Sequence, residues 1–346
     1  MKRIAVLNVV GLCESLLGEN TPAINSFLAN RSKAVIEPAF PAVTCTAQSN
    51  YLTGQLPSAH GVVANGWYHR EMAEVQFWKQ SNHLVSAPKI WNDLRAEYGS
   101  KFTCAKLFWW YNMYASVDFS ITPRPMYPAD GRKVFDIYTH PLWLGEKLKS
   151  DLGDFPFPAF WGPAAGIDSP QFSSDAVSKW IAASARWVEE KHSPTLSLIY
   201  LPHLDYNLQR KGPNDPAIAR DVCQIDTIVG ELLEFFKQRD VEPLILSEYG
   251  ITPVDRAIHL NRIFRKKNWI AIKTELGLEL LDAGASKVFA VADHQIAHVY
   301  VNDLSLIEAV RETLEKVDGV QTVLGSKEKA AAGINHPRAG DLIAIA

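Results

Sequence analysis

Three runs of nearly continuous apolar residues constrain this chain most: "IAVLNVV" at 4–10, "TLSLIYLP" at 195–202 and "EPLILS" at 242–247. None alternates apolar with polar, so each reads as a strand that needs cover on both faces. The stretches between them are amphipathic at helical spacing. In "DPAIARDVCQIDTIVGELLEFFKQRD" at 215–240, Ile218, Val222, Ile225, Ile228, Val229, Leu232, Leu233 and Phe236 fall on one face. Buried strands separated by helices predict an α/β fold, a three-layer α/β/α sandwich around a mostly parallel sheet. With 346 residues, 47% of them hydrophobic, one large domain over 1–346 can be built. Residues 108–172, with "FWWYNMY", "TPRPMYPADG" and "FPFPAFWGP", read as an aromatic, proline-rich insertion. Residues 250–300 read as a small cap of short strands.

Charge and cysteine usage exclude several classes. Lys and Arg total 35 against 38 Asp and Glu, so no basic field exists to hold nucleic acid, and Arg265-Lys266-Lys267 reads as a solvated helix end. Cys13, Cys45, Cys104 and Cys223 are scattered without a Cys-x-x-Cys pair, the pattern of reduced thiols in a cytoplasmic protein. The start "MKRIAVLNVVGLC" mimics a secretion signal, but Asn8 interrupts it and no small-residue cleavage pattern follows; a first buried strand accounts for the same residues. No segment has the length of a membrane span.

In open parallel sheets, ligands bind beyond the carboxyl ends of the strands. The residues that follow the apolar runs are therefore the candidates: Val10-Gly11, then His203, Asp205 and Gln209, then Glu248-Tyr249. A fourth stretch, "FPAVTCTAQSNYLTGQLPSAHGVVANGWYH" at 40–69, gathers hydroxyls with turn-forming residues. A helix starting at Thr44 would offer free N–H groups and a positive dipole end to an anion. Thr44 as a simple helix cap is the plainer alternative. Gly54, Gly61 and Gly66 read as tight turns, His60 as the anchor of one of them, and Cys45 as a small buried thiol or a rival nucleophile.

The same stretch resembles the nucleophile segment of the alkaline phosphatase superfamily, in its nucleotide pyrophosphatase/phosphodiesterase branch. Phe40-Pro41, Thr44, Thr53-Gly54, Pro57-Ser58-Ala59-His60-Gly61 and Asn65 stand at that branch's spacing, and weaker likeness runs through "LPHLDYNLQRKGP", "SEYGI" and "HPRAGDLIAIA". The nearest likeness is to a bacterial subgroup with altered metal ligands. The resemblance implies an alkaline-phosphatase-like fold and hydrolysis of a phosphate ester, diester or pyrophosphate bond. Thr44 would be the nucleophile and Asn65 a donor to the phosphoryl oxygens. The partner would be a small phosphate ester or nucleotide-like molecule.

The metal pattern departs from that branch, which binds two ions through acids and histidines. Val10 stands where an Asp closes the first strand, Gln209 where a His follows Asp205, and Glu248-Tyr249 where an Asp-His pair is found. The branch's last histidine lies downstream of the segment that "RAGDLIAIA" resembles. Asp205, Gln209, Glu248 and Thr44, with Asn8 as a further candidate, make an oxygen-rich donor set, which suits a divalent cation such as Mg²⁺, Mn²⁺ or Ca²⁺ better than Zn²⁺. His203, two residues before Asp205, is a further candidate ligand, whereas His294, His298 and His336 read as hydrogen-bonded structural residues. Trp109, Trp110, Tyr111 and Tyr114 read mostly as packing. Two other readings stay open: a phosphate-binding homologue with impaired turnover, and a phosphoryl transferase using the same residues.

Overall fold

The computed structural model describes residues 1–167 and 169–346. The chain divides into two compact units where the sequence suggests one domain. The first comprises Met1–Glu37, Gln80–His83 and Pro88–Val254; the second comprises Pro38–Lys79, Leu84–Ala87 and Asp255–Ala346.

The first unit is built on a six-stranded sheet. Its order is Val134–His140, Phe119–Met126, Cys104–Leu107, Leu196–Leu201, Arg3–Val9 and Val241–Leu246. Only the first pair is antiparallel, so the α/β class with a mostly parallel sheet holds. The continuous apolar runs are the central strands, and every residue of Leu196–Leu201 is buried. The helix Ala217–Lys237 buries the eight apolar residues picked out by their spacing, and Asp221 and Asp226 with them. The Asp226 carboxylate accepts from the backbone N–H groups of Ala23 at 3.0 Å and Ile24 at 2.9 Å. It thereby satisfies the first turn of the helix Pro22–Leu28, which lacks a side-chain cap of its own.

Residues 108–172 are not an insertion over this sheet. They supply its Phe119–Met126 and Val134–His140 strands, followed by the helix Trp143–Leu152. Prolines conceal the first of these strands in the sequence. Pro123 and Pro125 lie beyond Ile121, where the pairing to Cys104–Leu107 has ended and the strand is bonded along one edge only.

In the second unit, Val288–Asp293, Ile296–Val301, Leu342–Ile345 and Thr322–Leu324 form an antiparallel sheet in that order. Leu260, Phe264, Val299, Val310 and Leu314 are buried in its core. Residues 250–300 contribute two strands to a sheet that the 342–345 segment joins, and also form a separate antiparallel ribbon of Ala271–Glu275 with Leu278–Asp282. The same unit holds the helix Thr44–Thr53 and the ribbon of Gly66–His69 with Glu74–Phe77.

Candidate functional site

Two groups of candidate residues are described, one in each unit. In the first unit, the parallel register sets Asn8 between Tyr200 and Leu246, next to the carboxyl end of its strand. The chain then turns at Gly11, with φ of +81°; a Cβ there would lie 2.9 Å from Leu208 Cδ1 and 3.6 Å from Asp205 Cα. Only glycine permits this approach, which brings the first strand's end against the first turn of the helix His203–Lys211.

Asp205 is in that turn and fully buried. Its Oδ2 accepts from Gln209 Nε2 at 2.7 Å, one helical turn away on the same face. Glu248, in the loop after Val241–Leu246, is also buried, and its Oε1 accepts from Asn8 Nδ2 at 2.6 Å. Burial away from water pushes the Asp205 carboxyl up to about 8, and the charge of Glu248 adds to the rise while the Gln209 amide opposes it. Each acid thus carries an amide donor, in an arrangement of carboxamides and carboxylates with no imidazole.

Among the described residues, no three His, Cys, Asp or Glu side chains converge as a metal-binding group. That disfavours a zinc pair, which wants nitrogen or sulfur ligands. A hard cation is a different case. Among the described residues, Asn8 Oδ1 is a buried acceptor oxygen with no donor, as an oxygen ligand for a cation would be, whereas Asp205 takes a Tyr249 side-chain hydrogen bond besides that of Gln209. The oxygen donors of Asn8, Asp205 and Glu248 are of the kind a single hard divalent ion takes, and Gln209 would orient Asp205.

His203 lies outside this group. It opens the helix, its backbone N–H donates to Ser178 Oγ at 3.3 Å, and its strongest charged neighbours are Asp175 and Lys179. Burial pushes its imidazole down to about 4, so it is neutral.

In the second unit, Thr44 is the first residue of the helix Thr44–Thr53 and the extended Val43 is the cap position. Val43 has no side-chain oxygen, so the cap comes from elsewhere: Cys45 N–H donates to Asn65 Oδ1 at 3.0 Å. Asn65 in turn donates twice to Asp293, from its backbone N at 2.7 Å and from Nδ2 at 3.1 Å. The carboxamide keeps a second N–H on Nδ2. The Cys45 side chain is fully buried.

The remaining candidates are structural. His60 Nδ1 accepts from Val62 N–H at 3.0 Å while Nε2 meets Asn50 Oδ1 at 2.7 Å, so this imidazole ties the turn as the sequence suggests. His298 bridges Val63 O and Gly340 N, and His336 Nδ1 accepts from Arg338 N–H. Gly54 and Gly61 are left-handed helix caps, but Gly66 is needed for space: a Cβ would sit 2.4 Å from Phe77 Cγ across the ribbon. Trp109, Trp110 and Tyr111 are buried, whereas Tyr114 is exposed. Asp293 is the partner that sequence reasoning missed; "DHQIAH" drew attention to its histidines, and nothing local marks an aspartate 228 residues from its partner.

The architecture has solved counterparts. Alkaline phosphatase PafA matches with a TM-score of 0.69 over 99% of this chain and 85% of its own, at 13% identity. Murine ectonucleotide pyrophosphatase/phosphodiesterase 5, solved in complex with AMP, matches at 0.66 over 100% and 79%, with 15% identity. Phosphonoacetate hydrolase from Sinorhizobium meliloti 1021 matches at 0.65 over 99% and 80%, also with 15% identity. At these identities the likeness establishes the fold, that of the alkaline phosphatase superfamily. Within it, the chain belongs to the type I phosphodiesterase/nucleotide pyrophosphatase family, whose sequence model matches residues 4–346. An uncharacterized pyrophosphatase/phosphodiesterase of Schizosaccharomyces pombe is 24% identical over 253 residues, 70% of this chain; the match spans 44% of that relative's length. No helix among the described residues is long and apolar enough to cross a membrane.

Proposed function

We propose that this protein hydrolyses a phosphoester, phosphodiester or pyrophosphate bond in a small, nucleotide-like molecule, with Thr44 as nucleophile. The observation that carries the reading is the head of the Thr44–Thr53 helix, where a hydroxyl residue opens the helix beside a carboxamide held by a buried acid. Family membership supports the reaction class, and the AMP bound to the murine phosphodiesterase is in keeping with the substrate class.

Thr44 Oγ forms a bond to phosphorus as the bond from phosphorus to the leaving oxygen breaks. The hydroxyl proton passes to water and the leaving oxygen takes one up. Water then attacks the phosphothreonine, releasing the phosphoryl group and restoring the hydroxyl. The helix N-terminus and the second Nδ2–H of Asn65 favour the charge that builds on the non-bridging oxygens. Asn8, Asp205 and Glu248 would hold one divalent cation in the first unit, Mg²⁺ or Mn²⁺ in preference to Zn²⁺, with Gln209 orienting Asp205; when bound, such a cation would supply a Lewis acid.

Hydrolysis of bis-p-nitrophenyl phosphate and p-nitrophenyl phosphate with Mg²⁺, Mn²⁺ or Zn²⁺, alongside elemental analysis, tests this. Turnover that Thr44→Ala abolishes and Cys45→Ala preserves is the expected result. The amides already lodged on Asp205 and Glu248 favour one rival, a phosphate-binding homologue without turnover. Phosphate binding with no bound metal and no hydrolysis under any cation would select it. Phosphoryl product on an acceptor other than water would select a transferase.

A further inference from the structure

We infer that Asp293 is a positioning residue for this chemistry: it fixes the Asn65 carboxamide, and through it the start of the helix that carries Thr44. The inference rests on the functional reading above. A carboxamide can be seated two ways, its oxygen and nitrogen exchanged by a half-turn. At this helix head only one seating works, because Cys45 N–H requires an acceptor and meets Oδ1 at 3.0 Å.

Asp293 enforces that choice. A carboxylate can only accept, so an Asn65 oxygen turned towards it would meet another acceptor, and Cys45 N–H would face an N–H. Both carboxylate oxygens are engaged by Asn65, Oδ2 by its backbone N–H and Oδ1 by Nδ2. Asp293 itself is held by the sheet: it closes the strand Val288–Asp293, pairs with Ile296 in the antiparallel ladder and is 7% exposed. The His294 imidazole lies beside it, with Nε2 3.6 Å from Asp293 Oδ1. The carboxylate therefore does three things at once. It locks the carboxamide, it aims the second Nδ2–H, and by seating Oδ1 on Cys45 it sets where the residue before Cys45, Thr44, stands. None of these needs contact between Asp293 and substrate.

The test compares Asp293→Asn, Asn65→Ala and the double variant in bis-p-nitrophenyl phosphate hydrolysis. Loss of a residue that holds a functional group from behind typically costs 10–100-fold, so Asp293→Asn should lower kcat by roughly that factor with KM nearly unchanged. In the Asn65→Ala background the same change should cost less than about twofold, since the group it positions is gone. Full additivity, or an Asp293→Asn enzyme as fast as its parent, overturns the inference. A second readout needs neither turnover nor a variant that folds. In the unmutated protein, one of the two Asn65 side-chain N–H protons, the one bonded to Asp293, should exchange with solvent far more slowly than in a free carboxamide. Exchange of both protons at the free-carboxamide rate overturns the inference whether or not the protein hydrolyses anything. If that signature is present and no turnover is found, the functional reading fails while the positioning of Asn65 stands.

Discussion

Replacing Asn65 by aspartate changes the helix head without changing its shape. The new carboxylate still accepts from Cys45 N–H, as Oδ1 does now at 3.0 Å. The donor to Asp293 is lost, and a carboxylate oxygen stands where Nδ2 lies 3.1 Å from Asp293 Oδ1. Two charges at that separation repel by about 5 kcal/mol at an effective dielectric of about 20. The folded protein relieves this by keeping one proton on the pair, so the pair titrates above its unfolded range; burial raises Asp293 already. The sign follows from linkage. An acid with a raised folded pKa leaves stability intact at low pH, and stability is lost as pH climbs from the unfolded value through the folded one. Asn65→Asp should thus unfold in urea within about 1 kcal/mol of its parent at acid pH. It should fall behind as pH rises, at no more than about 1.4 kcal/mol per pH unit. Asn65→Ala brings in no second charge and removes one hydrogen bond that holds the Asp293 pKa down, so its loss, roughly 1–3 kcal/mol for the orphaned Cys45 N–H, should rise with pH less steeply than that of Asn65→Asp. Urea titrations of all three proteins at pH about 4.5, 6 and 7.5 supply the comparison. A loss in Asn65→Asp that is the same at every pH would refute the Asn65–Asp293 bond and the positioning inferred from it.

Three further outcomes are expected. With chelator present, Asp205→Asn should be more stable than its parent near neutral pH, because burial holds the Asp205 carboxyl near 8. The advantage should shrink towards pH about 4 and vanish below the unfolded pKa, where that carboxyl is protonated folded or unfolded; equal stabilities throughout would place Asp205 in water. Gly11→Ala puts a Cβ 2.9 Å from Leu208 at a φ of +81°, and should cost about 1–3 kcal/mol in a thermal or urea melt. Isothermal titration should find one Mn²⁺ site that Asp205→Ala and Glu248→Ala each weaken at least tenfold and His203→Ala leaves intact; an effect of His203→Ala equal to theirs would bring that imidazole into the site.

The central sheet was legible because burial on both faces leaves a direct mark: a strand covered twice must be apolar throughout, and Leu196–Leu201 is. The Ala217–Lys237 helix was legible for the matching reason, its one-sided period. The 108–172 strands were not, since two prolines on a singly bonded edge imitate a loop. The helix at Thr44 could be read from its motif, and so could the run of strand-end residues containing Asp205 and Glu248. That Asn8 donates to Glu248, and Gln209 to Asp205, could not.

Local periodicity and residue chemistry thus determined the fold class, the oxygen-rich donor set and the hydroxyl at a helix start. Tertiary structure alone decided which acceptor meets which donor. A hydrogen bond depends on about 3 Å of space and on direction, and neither is encoded by separation along the chain. Asp293 and Asn65 are 228 residues apart and joined at two points, so only the folded backbone could introduce them.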